Sequence, residues 1–300
     1  MNLLDAVVRT YAGLHDRHGH IPVRALTPLR VLMRYGARWL LPRYLARQRR
    51  TQVTEKTGVV VSFTSFPVRI NIAWQVVECM LRQTFVPRKV ILWLSKEQFP
   101  TYDDLPSSLR ERVGEHFEIR MVEGDLRSHK KYYYVAKEYS DSLVFLVDDD
   151  IYYDSHLLER SVKAHQEFPD AVICNYGYHI GYNKDSTLKP YKQWKHEYYA
   201  STDDDLFFGS GGGTLFCPSD LYSDLTDIEH AMKLCPIADD VWLNAMAKLA
   251  KRRTIMLKNG PVLPIYCPND VKLATQNLWD SGNDEHLAAV LNYYKEKDES

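Results

Sequence analysis

Apolar and polar positions fall into two regimes along the 300 residues. From Gly58 onward, short apolar runs alternate with stretches whose apolar residues recur every three or four positions. The runs Val59–Phe63, Lys89–Leu94, Phe117–Val122, Leu143–Val147 and Ala171–Cys174 predict strands. Between them, Asn71 is predicted to cap a helix through Gln83, on which Ile72, Val76, Val77, Met80 and Leu81 share a face. Further helices are predicted over Leu105–Val113, Lys130–Tyr139 and from Asp154 through Phe168. Strand–helix alternation of this kind predicts an α/β fold, a mostly parallel central sheet with helices on both faces.

After Asn175 the rhythm stops. Residues 176–206 are aromatic, polar and irregular, long for a mere connector, and predict a binding loop or lid. Leu206 to Cys217 resumes as a Gly-rich turn plus strand, and a short helix starts at Ser219. Ala238–Lys251 is amphipathic, with Val241, Leu243, Ala245, Met246 and Leu249. Short strands over Thr254–Leu257 and Val262–Tyr266 and a polar helix over Glu285–Lys297 complete the chain.

The other regime is residues 1–57. Pro28–Arg50 interleaves Leu29, Leu32, Met33, Trp39, Leu40 and Leu41 with Arg30, Arg34, Arg38, Arg43 and Arg47, a helix expected to kink at Pro42. Two readings fit: a helix lying on an anionic membrane surface, or a helix docked on the protein's own core with a solvated basic face. Thr51–Thr57 reads as a linker. The organisation expected is therefore a basic helical segment, 1–57, followed by a domain over 58–300, divided into a first half, 58–175, and a second half, 176–300.

Charge sharpens this division. The net charge is −1, yet residues 1–57 hold 11 Lys+Arg against 3 Asp+Glu, leaving 27 against 36 for the rest. The basic segment calls for an anionic partner, and the acidic body argues against nucleic acid. Five cysteines without a CxxC spacing read as free thiols in a reducing cytosol rather than as a zinc site or disulfide framework. Met1–Tyr11 does not read as a signal peptide, and no apolar stretch is long enough to span a bilayer. A cytoplasmic protein, peripheral at the inner face of the cell membrane if residues 28–50 bind lipid, is the expectation. Twenty tyrosines provide flat apolar area with a polar edge, suited to stacking on sugars or bases as well as to packing.

The strongest chemical signal is the run Leu143–Val147 leading directly into Asp148-Asp149-Asp150. A strand buried on both faces would deliver three carboxylates to its C-terminal mouth, where open α/β sheets bind ligands. Asp148 and Asp150 share one side of extended chain and Asp149 the other. Carboxylates so crowded repel one another unless a cation lies among them, and Mg2+ or Mn2+ often joins such oxygens to substrate phosphates. Asp203-Asp204-Asp205 lacks the apolar strand and reads as a solvated loop. Gly211-Gly212-Gly213 lets backbone approach a ligand closely, or forms a bulge at a strand start. Asp239 and Asp240 open a helix as first-turn residues, and one of them can also serve as a general base. Lys131, in Ser128-His129-Lys130-Lys131-Tyr132-Tyr133-Tyr134, and Arg69, after Thr64-Ser65-Phe66-Pro67-Val68, are candidate diphosphate contacts.

The order of these motifs resembles that of GT-A glycosyltransferases. Asp148-Asp149-Asp150 is similar to their DxD motif. Gly211-Gly212-Gly213 followed by Asp239-Asp240-Val241 resembles the GGG and Glu-Asp-Val pair of fringe-like and beta-1,3-glycosyltransferases. Thr64-Ser65-Phe66-Pro67-Val68-Arg69-Ile70, the His-Lys-Lys-Tyr-Tyr run and Cys235-Pro236-Ile237-Ala238-Asp239-Asp240-Val241-Trp242 resemble bacterial transferases of capsule and O-antigen assembly.

The resemblance spans about residues 58–266. It implies a Rossmann-like GT-A sheet, a UDP-linked nucleotide-sugar donor, Mn2+ or Mg2+, and a glycan or lipid-linked glycan acceptor. By motif position Asp150 and Asp148 would hold the metal and Asp240, with Asp239 beside it, would be the base of an inverting transfer. Ser62, Thr64, Arg69, Lys131, Asp148, Asp149 and Gly211–Gly213 would face the donor, and Tyr191, Trp194 and Tyr198 the acceptor. The chain departs from the pattern at Asp239, where those relatives carry Glu, one methylene longer. Two other readings stand beside this one: a phosphohydrolase of the haloacid-dehalogenase type, whose nucleophile also ends an apolar strand, and a non-catalytic carbohydrate-binding protein on the same fold.

Overall fold

The structure, a computed structural model, describes residues 2–14, 23–47, 55–197, 200–202, 205–258, 262–268 and 282–298. The sheet strands are β1 (Val60–Thr64), β2 (Lys89–Ser95), β3 (Phe117–Val122), β4 (Val144–Val147), β5 (Ala171–Cys174), β6 (Gly212–Phe216) and β7 (Arg253–Met256). The helices used below are α1 (Leu3–Gly13), α2 (Thr27–Arg47), α3 (Ala73–Leu81), α4 (Lys130–Glu138), α5 (Leu157–Glu167), α6 (Asp239–Leu249) and α7 (Gly282–Asp298).

The strands lie in the order β7-β5-β6-β4-β1-β2-β3, parallel throughout except β6, which is antiparallel to both of its neighbours. This is the expected mostly parallel α/β sheet, Rossmann-like in architecture. Alternation along each strand divides the core in two. Val61, Phe63, Val90, Leu92, Phe145, Val147, Ile173 and Leu215 pack on the side of α1, α2, α3 and α5. Val60, Ile91, Trp93, Val144, Leu146, Val172 and Phe216 pack on the side of α4, α6 and α7. Strands with apolar residues on both faces are what a sheet sandwiched between two helical layers requires.

Several elements differ from the sequence expectation. Helix α3 begins at Ala73, and its N-cap position is Ile72 without a side-chain cap, so Asn71 is not the cap. Asp154 does not open α5. Its carboxylate is held by Arg160 at 2.8 Å and by Arg9 at 3.2 Å, and the helix begins at Leu157. The stretch 176–206 is not irregular: Gly177–His179, Lys195–Glu197 and Leu206–Phe208 form a small antiparallel sheet. Its strands are three residues each, too short for a period-2 pattern to register.

Helix α2 runs through Pro42 to Arg47, and residues 48–54, with most of the expected linker, lie outside the described residues. Its Ala37, Leu41 and Leu45 are buried on the core, so one face is docked. Helix α1 is tied down at Asp5, which accepts hydrogen bonds from the Ser155 N–H and hydroxyl, each at 2.7 Å. All five cysteines are free thiols. Among the described residues no helix is long and apolar enough to cross a membrane.

Candidate functional site

The C-terminal ends of β1 and β4 open into a cavity of about 580 Å³, within the range of small-molecule sites. Asp148 and Asp150, just past β4, face it with side chains 40% and 24% exposed. Asp149 turns inward, where Ser65 donates to one oxygen at 2.5 Å and Arg69 to the other at 3.1 Å. Burial raises the Asp149 carboxyl above its usual range against the pull of Arg69. Arg69 also reaches Asp150, at 2.9 Å, so one guanidinium serves two carboxylates.

Strand β6 explains the glycines. It runs antiparallel beside β4 with Gly212 opposite Val147, which brings Gly211 to Asp148. The Asp148 N–H donates to the Gly211 carbonyl at 3.2 Å, and a Cβ on Gly211 would lie 1.8 Å from an Asp148 carboxylate oxygen. Gly213 has φ +101°, a backbone conformation that favours glycine. Gly211→Ala is therefore expected to displace the Asp148 carboxylate, costing about 1–3 kcal/mol by overpacking. Urea unfolding of the variant checks this.

The opposite wall is the start of α6. Asp239 and Asp240 lie in its first turn, but neither caps it. Ser210 takes both instead, its N–H donating to Asp240 at 2.8 Å and its hydroxyl to Asp239 at 2.9 Å. Lys131 joins the two walls: its Nζ lies 2.8 Å from Asp148 and 3.0 Å from Asp239. Burial would lower its pKa, but Asp148, Asp239 and Asp240 together raise it, and it stays charged. Burial alone would raise Asp239, yet Lys131 beside it holds the carboxyl below the usual range. For Asp240, burial and then the Asp239 charge win, and its pKa is pushed up to about 7. Adjacent carboxyls of opposite shift are a common arrangement where one holds charge and the other moves a proton.

A second tie joins the walls beneath the cavity floor. Buried His129 donates from Nε2 to the Cys235 carbonyl at 2.8 Å and accepts from the Tyr132 hydroxyl at 2.9 Å. Burial lowers its pKa, so the ring is neutral. The His-Lys-Lys run and the Cys-Pro-Ile-Ala-Asp-Asp run, 106 residues apart, are thus bonded directly.

Of the sequence candidates, Thr64, Arg69, Lys131, Asp148, Asp149, Asp150, Tyr191, Asp239 and Asp240 line this one cavity. Ser62 does not. It is fully buried, donates to the Lys131 carbonyl at 2.6 Å and accepts from the Trp93 indole at 2.9 Å, so it positions α4 rather than touching a ligand. Trp194 is also buried in the core, its indole N–H bound to the Lys189 carbonyl at 2.9 Å, which corrects its reading as an acceptor contact. Gly211, Gly212 and Gly213 back the site without lining it. Tyr198, Tyr199, Asp203 and Asp204 lie outside the described residues.

Sequence reasoning missed Tyr176 and Tyr178, which line the cavity beside Tyr191. It also missed Arg127, exposed at the mouth with φ +50° and, among the described residues, no partner for its guanidinium. The aromatic bias of 176–206 was a signal for the tyrosines. Nothing local marked Arg127.

Among the described residues no group of three His, Cys, Asp or Glu side chains is arranged to hold a metal by itself. The donor chemistry nonetheless fits a hard cation: two part-exposed carboxylates, at Asp148 and Asp150, in a cavity lined by six carboxylates (Asp125, Asp148, Asp149, Asp150, Asp239 and Asp240) and three buried cations, Arg69, Lys130 and Lys131. Mg2+ and Mn2+ sites commonly use one or two protein carboxylates and complete their shell with water and phosphate oxygens.

No family model and no curated protein matches the chain. Solved structures it is similar to include apo UDP-glucose pyrophosphorylase, at 10% identity over 82% of this chain and 100% of that one, TM-score 0.38. UDP-glucose pyrophosphorylase complexed with UDP-glucose aligns at 12% identity over the same shares, TM-score 0.39. 4-diphosphocytidyl-2C-methyl-D-erythritol synthase from Anaerococcus prevotii aligns at 11% identity over 77% of this chain and 96% of that one, TM-score 0.42. Superpositions this loose carry no argument about activity, which rests on the cavity.

Proposed function

We propose that the protein is a metal-assisted glycosyltransferase. It moves a sugar from a UDP-linked donor to a hydroxyl of a glycan or lipid-linked glycan, with inversion, in bacterial surface polysaccharide synthesis. The observation that supports this best is Lys131, which ties Asp148 on one wall of the cavity to Asp239 on the other, beside an Asp240 that burial and the Asp239 charge push up to about 7. A leaving-group site and a proton acceptor are thereby held in one cleft. On this reading residues 58–175 serve the donor and 176–300 the acceptor, and the five free thiols suit a reducing cytoplasm.

Asp148 and Asp150 would hold the cation, which when bound supplies Lewis-acid stabilisation of the departing diphosphate. Lys131 adds a fixed positive charge at the same place, and Arg127 is placed to meet the diphosphate from the mouth. Asp240 takes the proton of the attacking hydroxyl. Asp239, kept ionised by Lys131, stays out of the proton transfer and fixes Lys131 and Ser210. Tyr176, Tyr178 and Tyr191 offer aromatic faces and hydroxyls to the acceptor sugar and keep water from the donor.

Incubation with Mn2+ and a panel of UDP-sugars tests the reading. Donor hydrolysis or sugar transfer supports it, while phosphate release from simple monoesters favours a phosphohydrolase, and UDP-sugar binding without turnover favours a carbohydrate-binding protein. The pH profile offers a second check. A base is active only when deprotonated, so kcat/KM is expected to rise about tenfold per pH unit below about 7 and to level above it.

A further inference from the structure

The docked face of α2 accounts for only part of that helix. Its outward side carries Leu32, Tyr35 and Trp39 at 67%, 60% and 61% exposure, with Leu29, Val31 and Leu40 flanking them. Soluble surfaces rarely concentrate large apolar side chains in this way without a partner. Eight of the thirteen exposed large apolar side chains among the described residues belong to one belt: these six, Tyr266 and Val68. The belt is held together by contacts. The Arg38 guanidinium of α2 lies over the Tyr266 ring, 3.6 Å from its centre, and the next residue, Cys267, donates to the Val68 carbonyl at 3.2 Å. Val68 adjoins Arg69, which lines the cavity, and Ile265 donates its N–H to the Asp150 carbonyl at 2.6 Å. The exposed apolar surface thus runs from α2 to the rim of the cavity.

The charge on this helix selects the occupant. Helix α2 carries five arginines and no acidic residue, in a chain whose net charge is −1. Arg43 folds back over Trp39, its Nη1 donating to the Trp39 carbonyl at 2.8 Å, and Arg47 ends the helix exposed. Apolar side chains ringed by arginine suit the boundary between lipid headgroups and acyl chains, with aromatic residues at the headgroup level. A second copy of the chain fits poorly, because a two-fold contact would set these arginines against their own images. We infer that the outward face of α2, with Tyr266 and Val68, docks on an anionic lipid surface and brings the mouth of the cavity to the headgroups. Docking needs no turnover, so it stands or falls apart from the transfer reaction.

The test is co-sedimentation of the full chain with vesicles of pure phosphatidylglycerol and of pure phosphatidylcholine. The chain is expected to pellet with phosphatidylglycerol, to be released as salt rises, and to stay in the supernatant with phosphatidylcholine. The double variant L32Q/W39Q is expected to bind at least about tenfold more weakly. Its melting curve should overlay the parent's, since both side chains are exposed. The variant R43E/R47E is expected to lose binding to phosphatidylglycerol with the same melting curve. A parent chain that pellets with neither vesicle overturns the proposal, and one that pellets equally with both removes its anionic part. An L32Q/W39Q protein that binds like the parent moves the contact elsewhere. A parent that is dimeric and indifferent to vesicles, made monomeric by L32Q/W39Q, gives the face to a second copy instead.

Discussion

Asp240→Asn is expected to lower kcat by about 10²–10⁴-fold, the scale of losing a general base, while UDP binding stays within a few-fold of the parent. The substitution isolates the proton from the packing. Asn keeps an oxygen where Asp240 accepts the Ser210 N–H, and the backbone carbonyl still accepts from Asn244 at 2.8 Å. What disappears is the ability to ionise. In the unfolded chain this carboxyl titrates at its ordinary value, 3.8, and in the fold at about 7. The folded state therefore binds the extra proton between those limits, and its stability falls as pH rises through that window. Asn removes that fall. The variant should be nearly inactive yet more stable than the parent at pH 8, with the difference vanishing below about pH 4. Steady-state kinetics, nucleotide titration and urea unfolding at both pH values read the three effects. Unchanged kcat would take Asp240 out of the mechanism, and a variant less stable than the parent at pH 8 would make its role structural.

The sequence carried the fold because the central strands of the sheet are apolar on both faces, whereas β3 at one edge alternates Glu118 and Arg120 with Phe117, Ile119 and Met121. Val144, Phe145, Leu146 and Val147 are all buried, and a run of that kind is read without knowing its neighbours. Boundaries were less legible where tertiary partners override local preference. Asp154 follows a strand and precedes a helix, the usual place for a cap, but Arg9 from α1 and Arg160 from α5 claim its carboxylate. No local pattern shows a partner 145 residues away. The three-residue strands of 176–206 pair across a long excursion, and three residues are too few to show an alternation.

The site was legible where carboxylates crowd, since close like charges need a partner whatever the fold. Asp148–Asp150 and Asp239–Asp240 stand out on that ground alone. Their meeting in one cavity was not readable from spacing. It follows from β6 running backward beside β4, which brings Gly211 and Ser210 between the two clusters. Small hydroxyls misled in both directions. Ser62 sits on the first strand near its mouth and proves to support Lys131, whereas Ser65, three residues on, holds Asp149. Trp194 misled because a tryptophan in a polar loop reads as a stacking surface. Here its ring packs among Tyr191 and Phe207 instead.

Lys131→Met is the harsher substitution, expected to cost about 3–5 kcal/mol of stability near neutral pH as well as most of the activity. Methionine fills much of the same volume, so the loss is one of charge. Lys131 is almost fully buried, and its ammonium lies within 3.0 Å of carboxylates from both walls. Breaking a buried pair leaves an uncompensated charge, and that desolvation is the source of the 3–5 kcal/mol figure. Asp239 depends on it most, since Lys131 is the main influence holding that carboxyl low against burial. Without the lysine, Asp239 is raised as Asp240 already is. The sign of the pH dependence follows. A carboxyl held low stabilises the fold above its unfolded value and loses that contribution as pH falls, so the gap between parent and variant should be widest near pH 8 and narrow toward pH 4. Asp239→Asn in the Lys131→Met background should restore part of the loss, because the unpaired charge is then gone. If the double variant is instead as unstable as the two single losses added together, Lys131 and Asp239 act independently, and the bridge between the two walls carries none of the stability assigned to it.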